Sequence, residues 1–510
     1  MERYVLGIDN GGMFSKAALY NLEGKELAIS SIKTTLLTPG DGFTERNMNE
    51  FREANYKAIR DVVSGSGTAP EQIAGVAVTG HGNGLYLTGP DGNPACNGII
   101  STDSRAKAQV KKWYADGTHK KIFPKTMQSL WAGQPAAILA WFKENDRKVI
   151  DNTKWIFMCK DYIRYCLTGE AFAEITDMSG TSMMNIQDMV YDKKLLEDLG
   201  LEEMLDRLPP LRRSSDVCGY ITKEAAGLTG LREGTPVGGG MFDIDACAIA
   251  TGVTDSAKIC VVAGTWSINE YVSMVPVISE DLFMVSVFCM PGKWLVLEGS
   301  PTSASNLEWF LSRFLGEENL KAKDRGVSVY DLCEEMVAGV KPEDTDIIFL
   351  PFLYGSNVGP DASACFLGLK GHHSKAQVLR SVYEGIVFSH LQHIDKLLSY
   401  RDRPDSISIS GGASRSATWV QMFADVLQCP IEVTRGTELG TLGAAMSAGV
   451  AAGCFGSFDE AVKAMVHVSH VCRPRREYGE MYGKKYRNYR KAIEQLKPLW
   501  EDTGSLEKEN

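Results

Sequence analysis

Residues 4–20 read YVLGIDNGGMFSKAALY. Residues 5–8 form a short apolar strand, and residues 16–20 form a second. Between them Asp9-Asn10-Gly11-Gly12 reads as a tight turn, with glycines where positive φ is needed, and the whole as a hairpin. A carboxylate enters the turn, backbone N–H groups line it, and the Ser15 hydroxyl and Lys16 ammonium leave it. Such a turn can hold a phosphate in a nest of amides, with Asp9 facing the accompanying metal. An ordinary glycine-rich hairpin would carry the same pattern, and no G-x-x-x-x-G-K-[ST] loop is present.

The 510 residues exceed one core, so at least two large domains are expected. A hydrophobic content of 44% with 23% charged residues is that of a soluble globular protein. The net charge of −10 argues against a general nucleic-acid or membrane-surface partner. No apolar run is long enough for a membrane span, and Met-Glu-Arg leads straight into a strand, so no signal peptide is expected. The 12 cysteines include no C-x-x-C, which fits reduced core residues of a cytoplasmic protein. His390/His393 and His467/His470 have the spacing of one helix face, but neither pair has a third ligand nearby, and both read as structural.

Further strands are expected at residues 27–35 and 75–80, flanking a helix over 48–64. The 75–80 run follows that helix and reads as a buried parallel strand, ending in His81-Gly82-Asn83-Gly84. Ligands of open α/β sheets sit beyond such strand ends, so His81 is either a substrate contact or a loop histidine satisfied by nearby backbone. Asp103 and Arg105 follow another strand stub, placed for polyol hydroxyls or for a surface ion pair. The next 130 residues read as mostly helical, punctuated at Trp131. Residues 238–243, GGGMFD, put Asp243 at the start of an apolar helix, as a carboxylate stabilised as the anion by the helix dipole or as a plain cap. Asp245 competes for any role given to Asp243.

The opening motif then returns: a strand at 258–263, Gly264-Thr265 as the turn, and a return strand at 267–271. A second phosphate hairpin implies a duplicated architecture with a nucleotide between two similar domains and a boundary near residue 252. Later come a helix over 303–315 with Glu308, a long helix over 374–400, and a strand at 406–410 stopping at Gly411-Gly412-Ala413 before Ser416. The Trp419/Met422/Phe423/Val426 stripe reads as core. Residues 476–500 form a terminal helix whose tyrosines (478, 482, 486, 489) are expected to cover the first domain, and residues 505–510 read as disordered.

Two gapped stretches carry a family resemblance. Gly133-x-Pro135…Leu139-x-Trp141-Phe142-x-Glu144-Asn145 resembles the first signature of the FGGY carbohydrate kinases, departing at Ile138, where that signature has Lys. Ala364-x-Phe366-x-Gly368-Leu369, then Gln377-Val378…Ser381-Val382-Tyr383-Glu384, resembles the second. Residues 241–243, 300–310 and 349–357 look most like the family's bacterial L-xylulose kinases. His81 stands where those enzymes have Gln, which leaves the sugar open.

The resemblance implies an α/β fold of two actin-like (ribonuclease H-like) domains around a central nucleotide/sugar cleft. Residues 1–252 would be the sugar-binding domain with the first hairpin, 253–480 the nucleotide-binding domain, and 481–510 a terminal helix and tail. ATP and Mg²⁺ are implied, with Asp9 holding the metal through water. Gly11, Gly12, Lys16, Gly264 and Thr265 would line the phosphates. Gly411, Gly412 and Ser416 would flank the adenosine, with Glu308 near the base. His81, Asp103, Arg105 and Trp131 would contact the sugar, and Asp243 would be the catalytic base. Trp266 replaces the usual small residue after Gly-Thr.

The implied substrate is L-xylulose or a related pentulose. The alternatives are 3-keto-L-gulonate, D-xylulose, L-ribulose or glycerol. The partner is a small-molecule sugar, with no nucleic acid and no membrane, and a homodimer is left open. Two other classes are a catalytically silent sugar-responsive regulator and an actin-like ATPase acting in assembly.

Overall fold

The structure, a computed structural model, describes residues 2–359, 361–436 and 438–507. The strands that place the site are β1 (Tyr4–Asn10), β2 (Phe14–Asn21), β3 (Glu26–Lys33), β4 (Ile73–Gly80), β5 (Val217–Tyr220), β6 (Pro236–Gly238), β7 (Met241–Phe242), β8 (Lys258–Ala263), β9 (Ser267–Ser273), β10 (Ser406–Ser410), β11 (Ile431–Thr434) and β12 (Val468–Cys472). The helices are α1 (Met48–Gly65), α2 (Cys159–Thr168), α3 (Ile175–Ser179), α4 (Asp243–Ala250), α5 (Ser305–Phe314), α6 (Val329–Ala338), α7 (Lys375–Leu397), α8 (Ala417–Leu427), α9 (Leu439–Ala451) and α10 (Gly479–Glu507). The chain divides into two compact units. One takes Met1–Thr254, Val272–Val296 and Gly436–His467, and the other takes Asp255–Tyr271, Leu297–Arg435 and Val468–Asn510.

The first unit is built on a sheet ordered β5-β6-β4-β1-β2-β3, with β7 beside the end of β4. β1 pairs antiparallel with β2 and parallel with β4. The strand alternation of β1 decides what each face meets. Tyr4, Leu6 and Ile8 join Phe51, Ile59 and Val62 of α1 in one core. Val5 and Gly7 turn the other way, toward α9. A Cβ on Gly7 would lie 1.9 Å from the Thr441 carbonyl oxygen, and one on Gly75 of β4 would lie 2.8 Å from that of Ala448. Backbone meets backbone here, which only glycine permits. The same alternation puts Asp9 on the α9 face.

The expected turn geometry needs one correction. The Gly11 N–H bonds the Phe14 carbonyl at 3.0 Å and closes the hairpin, but neither Gly11 nor Gly12 adopts positive φ. A Cβ on Gly12 would meet nothing within 4 Å. What these glycines supply is uncovered backbone. The 130-residue stretch expected to be mostly helical also contributes short strands, β5 and Trp155–Phe157 among them.

In the second unit the run is β9 (as far as Tyr271), β8, β10, β11, β12. β8 is antiparallel to β9 and parallel to β10, the local pattern of β2, β1 and β4 again. α7 starts with a capping box, Ser374 with Gln377. Trp419, Met422, Phe423 and Val426 of α8 are buried, as their spacing predicts.

The tyrosines of α10 do not cover the first unit. Tyr482 accepts from Arg380 at 2.7 Å, Tyr486 donates to Asp395 at 2.8 Å, and Tyr489 packs on Phe388, all on α7 of their own unit. Arg380 also pairs with Glu384 at 2.9 Å, so the second signature anchors the terminal helix. Residues 505–507 continue α10, and 508–510 lie outside the described residues. His467 and His470 share no helix, since His470 is on β12.

His390 is fully buried, with Nδ1 at 2.8 Å from Asn269 Oδ1 and Nε2 at 2.9 Å from Ser303 Oγ. Burial holds it down at about 3, and it does the same to His81 in the first unit. Both are neutral when folded but protonate near 6.5 when unfolded. Their contribution is therefore complete above pH 6.5 and is lost as pH falls toward 3, by about 1.4 kcal/mol per group per pH unit. We expect the urea midpoint to drop between pH 7 and pH 5, and His390→Gln to flatten the drop. An unchanged slope in that variant would exclude His390 as a source.

Candidate active site

Strand register brings two carboxylates to one sheet end. Asp9 of β1 stands opposite Thr79 of β4, and Thr79 stands opposite Met241 of β7. The Thr79 hydroxyl donates to the Met241 carbonyl at 2.7 Å. β7 is two residues long, and the next residue, Asp243, opens α4. The glycines before it make this fit. Gly240 has φ +74°, and a Cβ there would lie 1.9 Å from the Val78 carbonyl oxygen. Asp9 near the end of β1 and Asp243 just after β7 thus both sit at the carboxyl ends of parallel strands, where ligands of α/β sheets bind.

Burial pushes the Asp9 carboxyl up to about 6, with Lys16 pulling it back and Glu438 adding to the rise. Asp243 is held well above the usual carboxylate range by burial and by the charges of Asp9 and Asp177, while backbone amides at the start of α4 pull the other way. A carboxylate so placed binds protons more tightly, as a general base requires. Asp245 is fully buried, and its Oδ1 accepts the Cys289 N–H at 2.8 Å. That bond gives Asp245 a backbone partner inside the first unit.

The first hairpin offers Gly11 and Gly12 backbone beside Lys16, whose Nζ lies 2.5 Å from Glu438 Oε2. Arg46 donates to the Gly11 and Gly12 carbonyls and holds the turn from behind. His81 bonds through Nε2 to the Tyr86 hydroxyl at 2.9 Å and through Nδ1 to the Gly82 carbonyl at 3.3 Å. Being neutral, it donates from Nδ1 and accepts at Nε2. Asp103 and Arg105 form an internal ion pair at 2.9 Å, and Arg105 also meets Glu45 at 2.6 Å under the Phe43 ring. Their side chains are 0% and 2% exposed, so they form an ion pair, but in the interior and not on the surface as expected. Trp131 is half-buried, and a Cβ on neighbouring Gly133 would lie 2.7 Å from its ring.

In the second unit the Gly264-Thr265-Trp266 hairpin is tied to the start of α5. The Ala304 N–H bonds the Gly264 carbonyl at 2.8 Å, and the Ser303 N–H bonds that of Thr265 at 3.1 Å. Thr265 is exposed and Trp266 half-buried. Gly411 has φ +83°, and a Cβ there would lie 2.6 Å from the Ala263 carbonyl oxygen and 3.0 Å from the Gly264 nitrogen. The Gly411-Gly412 edge therefore abuts the hairpin. Ser416 caps α8 and donates to Glu334 of α6. Glu308 is exposed on α5.

Sequence reading missed Thr79, Thr176, Asp177, Glu334, Glu438 and Gly440. A Cβ on Gly440, in the first turn of α9, would lie 2.4 Å from Asp9 Oδ2. The only sequence signal for it is the small-residue spacing of LGTLGAA.

Two family descriptions match. That of the FGGY family of carbohydrate kinases, N-terminal domain, covers residues 4–250, and its C-terminal domain covers 259–452. The chain belongs to the FGGY family of carbohydrate kinases. The L-xylulose/3-keto-L-gulonate kinase of Escherichia coli (strain K12) is 35% identical over 497 residues, 97% of this chain and 98% of that one. A probable L-xylulose kinase of Pasteurella multocida (strain Pm70) is 35% identical over 97% of this chain and 99% of its own.

Among solved structures, the gluconate kinase from Lactobacillus acidophilus superposes with a TM-score of 0.88 at 23% identity, covering 97% of this chain and 98% of that one. The xylulose kinase from Rhodospirillum rubrum gives 0.86 at 24%, covering 98% and 100%. These likenesses show the two-domain α/β fold. As an FGGY kinase the chain is a phosphotransferase that uses ATP and an alcohol acceptor on a small sugar. No helix among the described residues is long and apolar enough to cross a membrane.

Proposed function

We propose that this FGGY kinase phosphorylates a ketopentose, with L-xylulose as the first choice, in the cytoplasm, with Asp243 as general base. The reading rests on the row that sets Asp9, Thr79 and Met241 side by side and delivers Asp243 next to them. The substrate choice rests on two relatives, 35% identical, named as L-xylulose kinases.

Mg²⁺ fits the donors present. Among the described residues no three His, Cys, Asp or Glu gather as a cage, and the available donors are carboxylate oxygens. Mg²⁺ uses one or two carboxylates with phosphate oxygens and water. Asp9 would hold it through water, and the ion would neutralise charge on the transferred phosphoryl group. Asp243 accepts the proton of the attacking hydroxyl. Gly11, Gly12, Gly264 and Thr265 offer backbone to phosphate oxygens, and Lys16 adds a positive charge once it leaves Glu438. Gly411, Gly412 and Ser416 flank the adenosine, with Glu308 near the base. His81, Asp103, Arg105 and Trp131 shape the sugar side, Asp103 and Arg105 by fixing its wall.

Gly411→Ala tests the nucleotide edge. At φ +83° and ψ −170° a non-glycine residue costs about 1–3 kcal/mol, and the added methyl would push the strand end off the hairpin. We expect the KM for ATP to rise severalfold with the sugar KM unchanged. A wild-type KM for ATP would remove Gly411 from the nucleotide site.

The substrate test is coupled ADP release on L-xylulose, D-xylulose, L-ribulose, L-fuculose, glycerol and 3-keto-L-gulonate. Preference for L-xylulose carries the proposal. Strong turnover of another sugar keeps the mechanism and discards the substrate. Silence on every sugar overturns both.

A further inference from the structure

The dipeptide before the base is held on both sides by threonine hydroxyls. Thr79 donates to the Met241 carbonyl, and the Phe242 N–H donates to Thr176 Oγ1 at 2.9 Å. Thr176 is fully buried on α3 and passes its own proton toward Glu174 Oε2 at 2.7 Å. Glu174 is fixed in turn. It accepts from Ser214 at 2.7 Å and meets Lys160 Nζ at 3.3 Å. Lys160 is itself fully buried, 3.0 Å from Asp161 and 3.5 Å from Asp177. Burying these four charged side chains in one cluster is costly unless they are mutually bonded, and the Thr176 hydroxyl links Glu174 of that cluster to β7.

We propose that Thr176, braced by Glu174 and Lys160, is a positioning residue that sets the backbone from which Asp243 projects. The inference rests on Asp243 being the base. Phosphoryl transfer depends on alignment, and a displacement of about 1 Å can cost roughly 10²-fold. Val matches Thr in shape but offers no acceptor, so the Phe242 N–H would pull away from α3.

The test is steady-state kinetics on full-length Thr176→Val, Thr176→Ser, Asp243→Asn and Thr176→Val/Asp243→Asn, with ATP, Mg²⁺ and the best sugar of the panel. We expect Thr176→Val to lower kcat by about tenfold or more with little change in the KM for ATP, and Thr176→Ser to restore it. On the Asp243→Asn background the same change should leave the residual rate nearly unaltered, because the group being positioned is gone. Equal losses in both backgrounds, or failure of Ser to rescue, would reduce Thr176 to a structural role. Should Thr176→Val not fold, Thr176→Cys, a poor acceptor, takes its place. Wild-type turnover by Asp243→Asn alone would sink the base assignment itself.

Discussion

Asp243→Asn is expected to lose turnover by roughly 10²–10⁴-fold, the usual contribution of a positioned general base. The variant keeps the shape of the side chain but cannot take the proton. Its stability is expected to hold or rise, because a buried carboxylate beside Asp9 and Asp177 is replaced by a neutral amide. Loss of rate with unchanged or higher Tm separates a chemical role from a folding defect, and binding of sugar and ATP should survive in calorimetry. The comparison variant is Asp245→Ala. It strips the acceptor from the Cys289 N–H, costs about 1–3 kcal/mol, and leaves turnover per folded molecule intact. Near-normal kcat in Asp243→Asn with a dead Asp245→Ala would reverse the two assignments.

Gly440→Ala is expected to be the most damaging single methyl in the first unit's site. By helix propensity alone the change would gain about 1 kcal/mol. The geometry overrides that gain. The new Cβ would lie 2.4 Å from Asp9 Oδ2 and 2.7 Å from its Cγ, closer than carbon and oxygen can approach, so the carboxylate must turn away. We expect a rate loss of about 10²-fold and a higher Mg²⁺ concentration for half-maximal rate. The control is Gly443→Ala, whose Cβ would strike the Ala246 carbonyl oxygen at 2.4 Å. It repeats the overpacking cost of about 1–3 kcal/mol without touching a carboxylate. A wild-type Mg²⁺ dependence in Gly440→Ala would free Asp9 from any part in holding the metal.

What sequence made legible follows from range. The two hairpins, the parallel strand ending at Gly80, the start of α4 at Asp243 and the strand stopping at Gly411 are local patterns, set by alternation, turn residues and capping within a few positions. The partners of those residues are not local. Nothing in residues 4–20 shows that Gly440 must be small for Asp9 to sit where it does. Nothing near Asp243 points to Thr176, because the bond from the Phe242 N–H to the Thr176 hydroxyl depends on α3 meeting β7. Gly11 and Gly12 mislead for a related reason. Glycine pairs are read as positive-φ positions, and here they are needed as bare backbone. The tyrosines of α10 mislead as to their unit because amphipathic spacing shows that a face is buried and not against what.

The placement of α9 bears on how the protein is made. The face of the first sheet that carries Gly7 and Gly75 is closed by residues 439–451, which leave the ribosome long after the sheet's own strands. Until then a nascent chain shows an uncovered apolar surface with Asp9 unsupported. The first half of the gene therefore does not encode a finished folding unit. A stop codon anywhere before residue 439 would yield a product prone to clump, and the hairpin that opens the chain would be among the last parts to become functional.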